Sequence, residues 1–159
     1  SKQTRPKLFK VDICEMAEVK FYDYADDKRL KFAVIIARTN GKWVFCKHKE
    51  RDTYELPGGH RERGEDILTA AERELREETG AVNITIQPIS VYSVKGKTRI
   101  GEGADDETFG MLFIADIASF EDLHCEIESI LVTDHLIDRW TYPLIQPKLL
   151  SEAQNRGYL

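Results

Sequence analysis

The sequence predicts a mixed α/β sandwich, in which a β-sheet lies between helices. Three observations lead to this prediction. Much of the chain consists of short runs rich in β-branched and apolar residues, as strands are. A helical pattern lies mid-chain, starting near Glu65 or Asp66 and ending at Gly80, and an amphipathic one runs from Pro147 to Arg156. Strands and helices do not alternate regularly, which argues against a Rossmann fold.

The predicted strands follow from local patterns. Residues 11–24 alternate imperfectly, and Val19, Phe21 and Tyr24 support a strand there. Asn40-Gly41 is typical of a type I′ hairpin turn, so two flanking segments should pair. The other predicted strands are 30–38, 43–46, 83–94, 108–117 and 126–133. Predicted turns and loops occupy 26–28, 47–54, 96–107, 119–125 and the stretch that begins at 134.

Composition favours one soluble domain over residues 1–159, with 42% hydrophobic and 32% charged residues. The net charge of −5 disfavours binding to long nucleic acid but leaves a nucleotide substrate open. We expect no membrane partner, because no apolar run approaches the roughly 20 residues of a membrane helix. The N-terminus lacks the apolar core of a secretory leader, and three cysteines without a CxxC pair favour reduced thiols. A cytoplasmic location follows from both.

Three glutamates crowd the end of the central helix. A helix turns about 100° per residue, so Glu74, Glu77 and Glu78 share one face. These like charges repel, and they meet the negative end of the helix dipole. Stability alone does not favour this arrangement, but a hard divalent cation such as Mg²⁺ would reverse both penalties. The alternative is a solvated face with ordinary i,i+4 ion pairs. The preceding Pro57-Gly58-Gly59 turn favours the metal site.

The spacing of these residues resembles the signature of the Nudix hydrolases. It reads Gly59-x5-Glu65-x7-Arg73-Glu74-Leu75-x-Glu77-Glu78-x-Gly80, and the motif spans residues 59–81. The resemblance implies an α/β/α sandwich with a mixed central sheet over about residues 30–155. It also implies that water attacks phosphorus in a nucleoside diphosphate linked to another group, assisted by Mg²⁺ or Mn²⁺. One departure is Ala81, where the family usually has a larger aliphatic residue.

The resemblance also implies roles for individual residues. Glu74, Glu77 and Glu78 correspond to metal ligands, together with the backbone carbonyl of Gly58. Glu65 should pair with Arg73, which then orients the glutamates. Glu74 and Glu77 are the leading candidates for general base. In this family the base sometimes lies outside the helix, and the loop candidates are Glu102, Asp105, Asp106 and, first among them, Glu107. A solvated loop is the alternative for these four.

Other residues near the motif have weaker assignments. Lys47, Lys49 and Arg51 lie just before the turn and can clamp terminal phosphates, or they form an exposed basic connection. The histidines have no metal-ligand spacing and are interpreted as structural or surface residues: His48, His60, His124 and His135. A base-stacking residue can come from the aromatic set, for which core packing is the main interpretation: Trp43, Tyr54, Phe109, Trp140 and Tyr142.

The segment from Gly41 to Gly59 (GKWVFCKHKERDTYELPGG) resembles the MutT-type nucleoside triphosphate pyrophosphohydrolases. This implies cleavage of a nucleoside triphosphate, including nucleotides with an oxidised guanine. Hydrolysis of ADP-sugars or dinucleotides, and removal of pyrophosphate from the 5′ end of RNA, are the enzymatic alternatives. A noncatalytic nucleotide-binding module is the third, and the complete set of motif glutamates disfavours it. Dimers are common among relatives, so a homodimer is an open partner state.

Overall fold

The computed structural model describes residues 17–96, 107–121 and 127–159. Its strands are β1 (Ala17–Tyr22), β2 (Leu30–Thr39), β3 (Lys42–His48), β4 (Gly58–His60), β5 (Ala81–Gly96), β6 (Glu107–Phe120) and β7 (Ile127–Thr133). Its helices are α1 (Ile67–Thr79) and α2 (Gln146–Asn155), and a 3₁₀ turn covers Asp27–Arg29.

Within the described residues the strands form one mixed, seven-stranded sheet. The order is β1-β5-β6-β2-β3-β7, and the short β4 pairs with β2. β2 runs parallel to β6, whereas the other pairs are antiparallel. In the β2–β4 pair, Val34 lies opposite Gly58 and Ala33 opposite Gly59. This pairing holds the start of the motif against the centre of the sheet.

Each face of the sheet packs against one helix. On one face, α1 contributes Ile67, Ala71 and Leu75 to a core with residues of β2, β5 and β6. On the other face, α2 contributes Leu149, Leu150 and Ala153 to a second core. The prediction of a sheet between helices is therefore confirmed. No helix in the described part of the chain is long and apolar enough to cross a membrane.

The ends of α1 lie where the sequence predicts them. The Asp66 side chain caps the start by accepting a hydrogen bond from the Thr69 N–H at 2.8 Å. Asp27 accepts a second hydrogen bond, from the Ile67 N–H at 3.0 Å. At the other end, Gly80 adopts the left-handed conformation with φ of 77°. These caps fix the register of the acidic face relative to the preceding turn.

Strand β4 was not predicted, because its residues were assigned to the proline-glycine turn, whereas the remaining elements agree with the predictions in place but differ in length. The hairpin turn is confirmed by the positive φ of Asn40 (51°) and Gly41 (77°). β3 extends to His48 because it pairs with β7 along that length. β5 and β6 are longer than predicted because they pair from Ala81↔Phe120 to Lys95↔Glu107. The segments 11–16, 97–106 and 122–126, on which parts of the predicted first strand, two loops and the last strand fall, lie outside the described residues.

Replacing Gly80 with alanine should destabilise the protein, because an alanine Cβ is strained at a φ of 77°. We expect a loss of about 1 kcal/mol, which lowers Tm by about 3 °C for a chain of this size. Thermal unfolding followed by circular dichroism measures the shift. Gly80→Asn is the matched control and should recover part of the loss, because asparagine tolerates this conformation better. An unchanged Tm in Gly80→Ala would contradict the capping role.

Candidate functional site

The turn before α1 needs glycine at position 58, and its second glycine, Gly59, leaves space for the Glu74 side chain. A Cβ on Gly58 would collide with the Ala33 carbonyl oxygen of β2, and one on Gly59 would collide with the Glu74 carboxylate. The absence of side chains therefore lets the β4 backbone approach both the sheet and the acidic face of α1. The Gly58 N–H uses this proximity to donate a hydrogen bond to Glu78 Oε1 at 2.7 Å.

Arg73 connects the turn, the loop and the helix. Its Nε donates to Glu65 Oε2 at 2.6 Å and its Nη2 to Glu65 Oε1 at 3.0 Å, which is a bidentate pair. Nη2 also donates to the His60 carbonyl oxygen at 3.0 Å. The predicted pairing of Glu65 with Arg73 is thus confirmed as a contact. The hydrogen bonds between the two side chains are the main reason that the pKa of Arg73 is raised. The same bonds are the main reason that the pKa of Glu65 is lowered.

The same guanidinium contacts two of the predicted metal ligands. Arg73 Nη1 lies 3.1 Å from Glu74 Oε2 and 3.0 Å from Glu77 Oε1. The Glu74 side chain is mostly buried, with 16% exposed, whereas 58% of the Glu77 side chain is exposed. Burial raises the pKa of the Glu74 carboxyl, and the hydrogen bond from Arg73 opposes this effect. Arg73 therefore holds these carboxylates on one side of α1.

Glu78 is the most deeply buried of the three glutamates, with 14% of its side chain exposed. Burial raises the pKa of its carboxyl to about 8, and the charges of Glu74, Glu55 and Glu77 add to the effect. The hydrogen bond from Gly58 acts in the opposite direction. A buried carboxylate surrounded by three others is costly to ionise, and a divalent cation would remove that cost.

The donor set fits a hard divalent cation by its chemistry, because it consists of carboxylates around a glycine-rich turn. Among the described residues, however, no three Asp, Glu, His or Cys side chains converge as a ligand set. Glu74 and Glu77 contact Arg73, and Glu78 contacts the Gly58 backbone. The carboxylates would have to turn from these partners to share one ion. Their roles as ligands, and that of the Gly58 carbonyl, stay predictions.

Two side chains that the motif does not include lie beside Glu78. His48 Nε2 is 3.8 Å from Glu78 Oε2 and 3.7 Å from Glu55 Oε1. Sequence reasoning assigned His48 a structural or surface position and did not select Glu55. No sequence signal indicated this proximity, because it depends on backbone pairing: Glu55 exchanges two backbone hydrogen bonds with Cys46, two residues before His48. Both residues extend the polar site beyond α1.

The predicted substrate-binding residues are Lys47 in β3, Arg51 just after it and Glu107 at the start of β6. Arg51 donates a hydrogen bond to Glu55 Oε1 at 3.0 Å, so its guanidinium is held near the site. Glu107 accepts hydrogen bonds from Tyr22, at 2.7 Å, and from Ser93, and the Ser93 bond is the main reason that its pKa is lowered. These contacts tie Glu107 to β1 and β5, and its catalytic role stays a prediction. The alternatives Glu102, Asp105 and Asp106 lie outside the described residues.

A cavity of about 580 Å³ opens beside the glycine turn. Gly58, Gly59 and His60 form one end of it, and apolar side chains from β2 and β5 form its walls. Tyr142 and Gln146, which precede and begin α2, line the cavity as well. The volume is typical of sites for small molecules. Core packing is confirmed for four of the predicted aromatic residues: Trp43, Tyr54, Phe109 and Trp140.

Comparisons with known proteins agree with this geometry. The family model described as the NUDIX domain matches residues 27–135. A curated protein of Bacillus subtilis (strain 168), the candidate 8-oxo-dGTP diphosphatase YtkD, is 36% identical over 83 residues, covering 52% of this chain and 52% of YtkD. The chain therefore matches only about half the length of that curated relative.

Solved structures share the fold over most of the chain. The Bacillus subtilis pyrophosphohydrolase BsRppH, crystallised as a point mutant, has a TM-score of 0.70 and 25% identity, covering 89% of this chain and 92% of its own. A NUDIX hydrolase from Nitrosomonas europaea has a TM-score of 0.55 at 20% identity, with 79% and 89% of the two chains covered. The second likeness concerns the fold alone. Since the family model covers more than half of the sequence and includes the whole glycine turn and acidic helix, this protein belongs to the Nudix hydrolase family.

Proposed function

We propose that this protein hydrolyses a phosphoanhydride bond of nucleoside triphosphates, including nucleotides with an oxidised guanine, with Mg²⁺ or Mn²⁺ as cofactor. The observation that carries this proposal is the hydrogen bond that Glu78, on the acidic face of α1, accepts from Gly58, because Gly58 lines a cavity of about 580 Å³. A nucleoside can occupy the cavity while its phosphates lie at the carboxylates. The relationship to YtkD, whose name refers to 8-oxo-dGTP, supports the same substrate class.

The residues of the chain divide the work in this proposal. Glu74, Glu77 and Glu78, with the Gly58 carbonyl, hold the cation. A bound divalent cation neutralises phosphate oxygens and lowers the pKa of water. Glu74 or Glu77 accepts the proton of the attacking water, and Glu107 stays the alternative base. Glu65 and Arg73 position the two carboxylates, since the bidentate pair fixes the guanidinium that contacts both.

Removal of pyrophosphate from the 5′ end of RNA is a second candidate function. A separate groove of about 300 Å³ is lined by four basic side chains, Lys28, Lys31, Arg61 and Arg63. It shares His60 with the larger cavity, so a polyanion bound there would reach the glycine turn. Against this candidate stands the net charge of −5. The predicted cytoplasmic location and a homodimeric state stay proposals under either function.

A release assay for phosphate and pyrophosphate separates these functions. The substrates are dNTPs, oxidised dNTPs, a 5′-triphosphate RNA, ADP-ribose, NADH and dinucleoside polyphosphates. We expect turnover of free triphosphates in Mg²⁺ or Mn²⁺ and none in excess chelator, because the phosphate charge is then not neutralised. A preference for ADP-ribose would contradict the proposal, and a preference for RNA would favour the second candidate. Activity that survives the chelator would exclude a cation-dependent mechanism.

Glu78→Gln should remove turnover, by about 100-fold or more, because losing a group that merely supports a metal ligand already costs about 10–100-fold. Glutamine can still accept the hydrogen bond of the Gly58 N–H, so we expect a cooperative melt. Steady-state kinetics in saturating Mg²⁺ and thermal unfolding test both expectations. Wild-type kcat with a cooperative melt would show that Glu78 is not a ligand.

The same variant has an expected pH signature in the metal-free protein. In the folded state the Glu78 carboxyl keeps its proton until about pH 8, against an ordinary value of 4.5. The unfolded state therefore binds fewer protons across this window, and the wild-type free energy of unfolding falls as pH rises through it. Glutamine does not ionise, so the Tm of Glu78→Gln relative to wild type should increase between pH 5 and pH 8.

Glu77→Gln is the matched control for this signature. It removes a charge from the same face of α1, but 58% of the Glu77 side chain is exposed to water. Glu77 makes the smallest charge contribution to the raised pKa of Glu78, so the Tm difference of Glu77→Gln should change much less over the same pH range. Differential scanning fluorimetry in chelator measures both variants. A constant difference for Glu78→Gln would show that Glu78 ionises freely in the folded protein.

A further inference from the structure

Two polar side chains line the cavity although they are almost completely buried. Tyr92 is 1% exposed and Gln146 is 5% exposed. Burial alone raises the pKa of the Tyr92 hydroxyl, with no hydrogen bond contributing. In the described part of the chain, Arg38 Nε is the one side-chain N or O atom that is inaccessible to solvent and has no hydrogen-bond partner. Among the described residues neither the Tyr92 hydroxyl nor the Gln146 amide nitrogen shows a hydrogen bond, so each of these atoms keeps a small exposure, and the cavity is the space that the two residues line.

The orientation of the Gln146 amide is fixed by the backbone. Its other polar atom, Oε1, accepts a hydrogen bond from the Leu56 N–H at 2.8 Å. A backbone N–H can only donate, so the atom that faces Leu56 must be the amide oxygen. The two N–H groups of the amide nitrogen are then left for the cavity. Gln146 begins α2, and its own backbone N–H is already bonded to the Tyr142 carbonyl oxygen.

This end of the cavity is consequently rich in donors. The Gln146 amide nitrogen can only donate, and the Tyr92 hydroxyl can donate or accept. The carboxylate of Glu55, which also lines the cavity, accepts a hydrogen bond from Arg51 at 3.0 Å. The walls around the donors are apolar and include Phe32, Val34 and Leu56. A planar ligand with an oxygen acceptor would satisfy donors that are otherwise left without a bond.

We propose that Gln146 and Tyr92 determine base specificity by donating hydrogen bonds to a ring carbonyl oxygen of the nucleobase. The cavity would then select bases with a keto oxygen over bases with an amino group at the same position. An amino group would place its own N–H donors against those of Gln146 and leave both sides unpaired. This inference rests on the proposed function only in placing the phosphates at the α1 carboxylates.

ITP and ATP are the substrates that test this inference, because their purine rings differ at the 6-keto and 6-amino position and neither has a 2-amino group. We expect kcat/KM for ITP to exceed that for ATP by about tenfold, the effect of one good hydrogen bond. UTP and CTP present the same contrast on a smaller ring. A preference for UTP as well supports keto recognition in general, and a preference for ITP alone restricts it to purines. Equal or reversed values for ITP and ATP would overturn the proposal.

Variants of the two donors test their part in the discrimination. Tyr92→Phe removes only the hydroxyl, and Gln146→Glu keeps the acceptor for Leu56 while replacing the donor. We expect the ITP to ATP ratio to fall in each variant, and to fall further in Gln146→Glu, because the Tyr92 hydroxyl can also accept a hydrogen bond from an amino group. Tyr24→Phe is the control, because it removes a hydroxyl from a tyrosine that is 77% exposed and does not line the cavity. Its ratio should equal that of wild type.

A stability readout separates recognition from a structural role. The Tyr92 hydroxyl makes no hydrogen bond within the described part of the chain, so the Tm of Tyr92→Phe should not fall. A lower Tm with an unchanged ITP to ATP ratio would assign Tyr92 to packing and refute its proposed role. Because Tyr92→Phe barely changes the core, it gives an answer even if Gln146→Glu fails to fold.

Binding of nucleoside monophosphates makes the inference independent of turnover. IMP and AMP contain no phosphoanhydride, so calorimetric titration reads the base cavity alone. We expect IMP to bind about fivefold or more tightly than AMP. If no triphosphate is hydrolysed but IMP is preferred, the proposed function fails and the cavity assignment survives. If triphosphates are hydrolysed but neither monophosphate binds, or AMP binds as well as IMP, the cavity assignment fails alone.

Discussion

The contacts of Arg73 are the constraint on which the site depends. One guanidinium joins Glu65 in the loop, the His60 carbonyl of β4, and Glu74 and Glu77 on α1. Without the Arg73 guanidinium, the like charges on one face of the helix would repel each other with little to oppose them. The planar geometry of arginine allows the bidentate bond to Glu65 and a simultaneous contact with α1, which lysine cannot reproduce. The order of the site therefore comes from an ion pair outside the proposed ligand set.

Local patterns were sufficient to predict most of the helices and strands. The hairpin at Asn40-Gly41 and the helix that ends at Gly80 follow from residues close in sequence, and the resemblance to the Nudix signature implied the pairing of Glu65 with Arg73. The proximity of His48 to Glu78 did not follow, because it requires the register of β3 relative to α1. The contact of Leu56 with Gln146 joins residues 90 positions apart, and no local pattern indicates it. Strand ends were misjudged for a related reason, since the pairing partner sets the length.

The acidic face of α1 costs the protein stability, and we attribute this cost to the proposed catalytic function. Glu78 is buried among carboxylates that make its ionisation unfavourable, yet the Gly58 N–H favours the ionised form. The opposing effects leave a group whose charge depends strongly on what is bound nearby. Gly59 likewise does not add to stability, because it leaves room for the Glu74 carboxylate and has no side chain to pack. Such local costs have to be offset elsewhere, here by the two apolar cores on either side of the sheet.

The hydrogen bond between Leu56 and Gln146 couples α2 to the segment that leads into the glycine turn. Helix α2 is thus a wall of the binding space and not only a cover for the second core. Substitutions at the start of α2 can change which nucleotide the cavity accepts without changing the acidic motif. Paralogues with identical motifs can therefore differ in substrate specificity. An inhibitor that contacts the cavity lining near α2 can distinguish such paralogues, whereas an inhibitor that contacts only the carboxylates cannot.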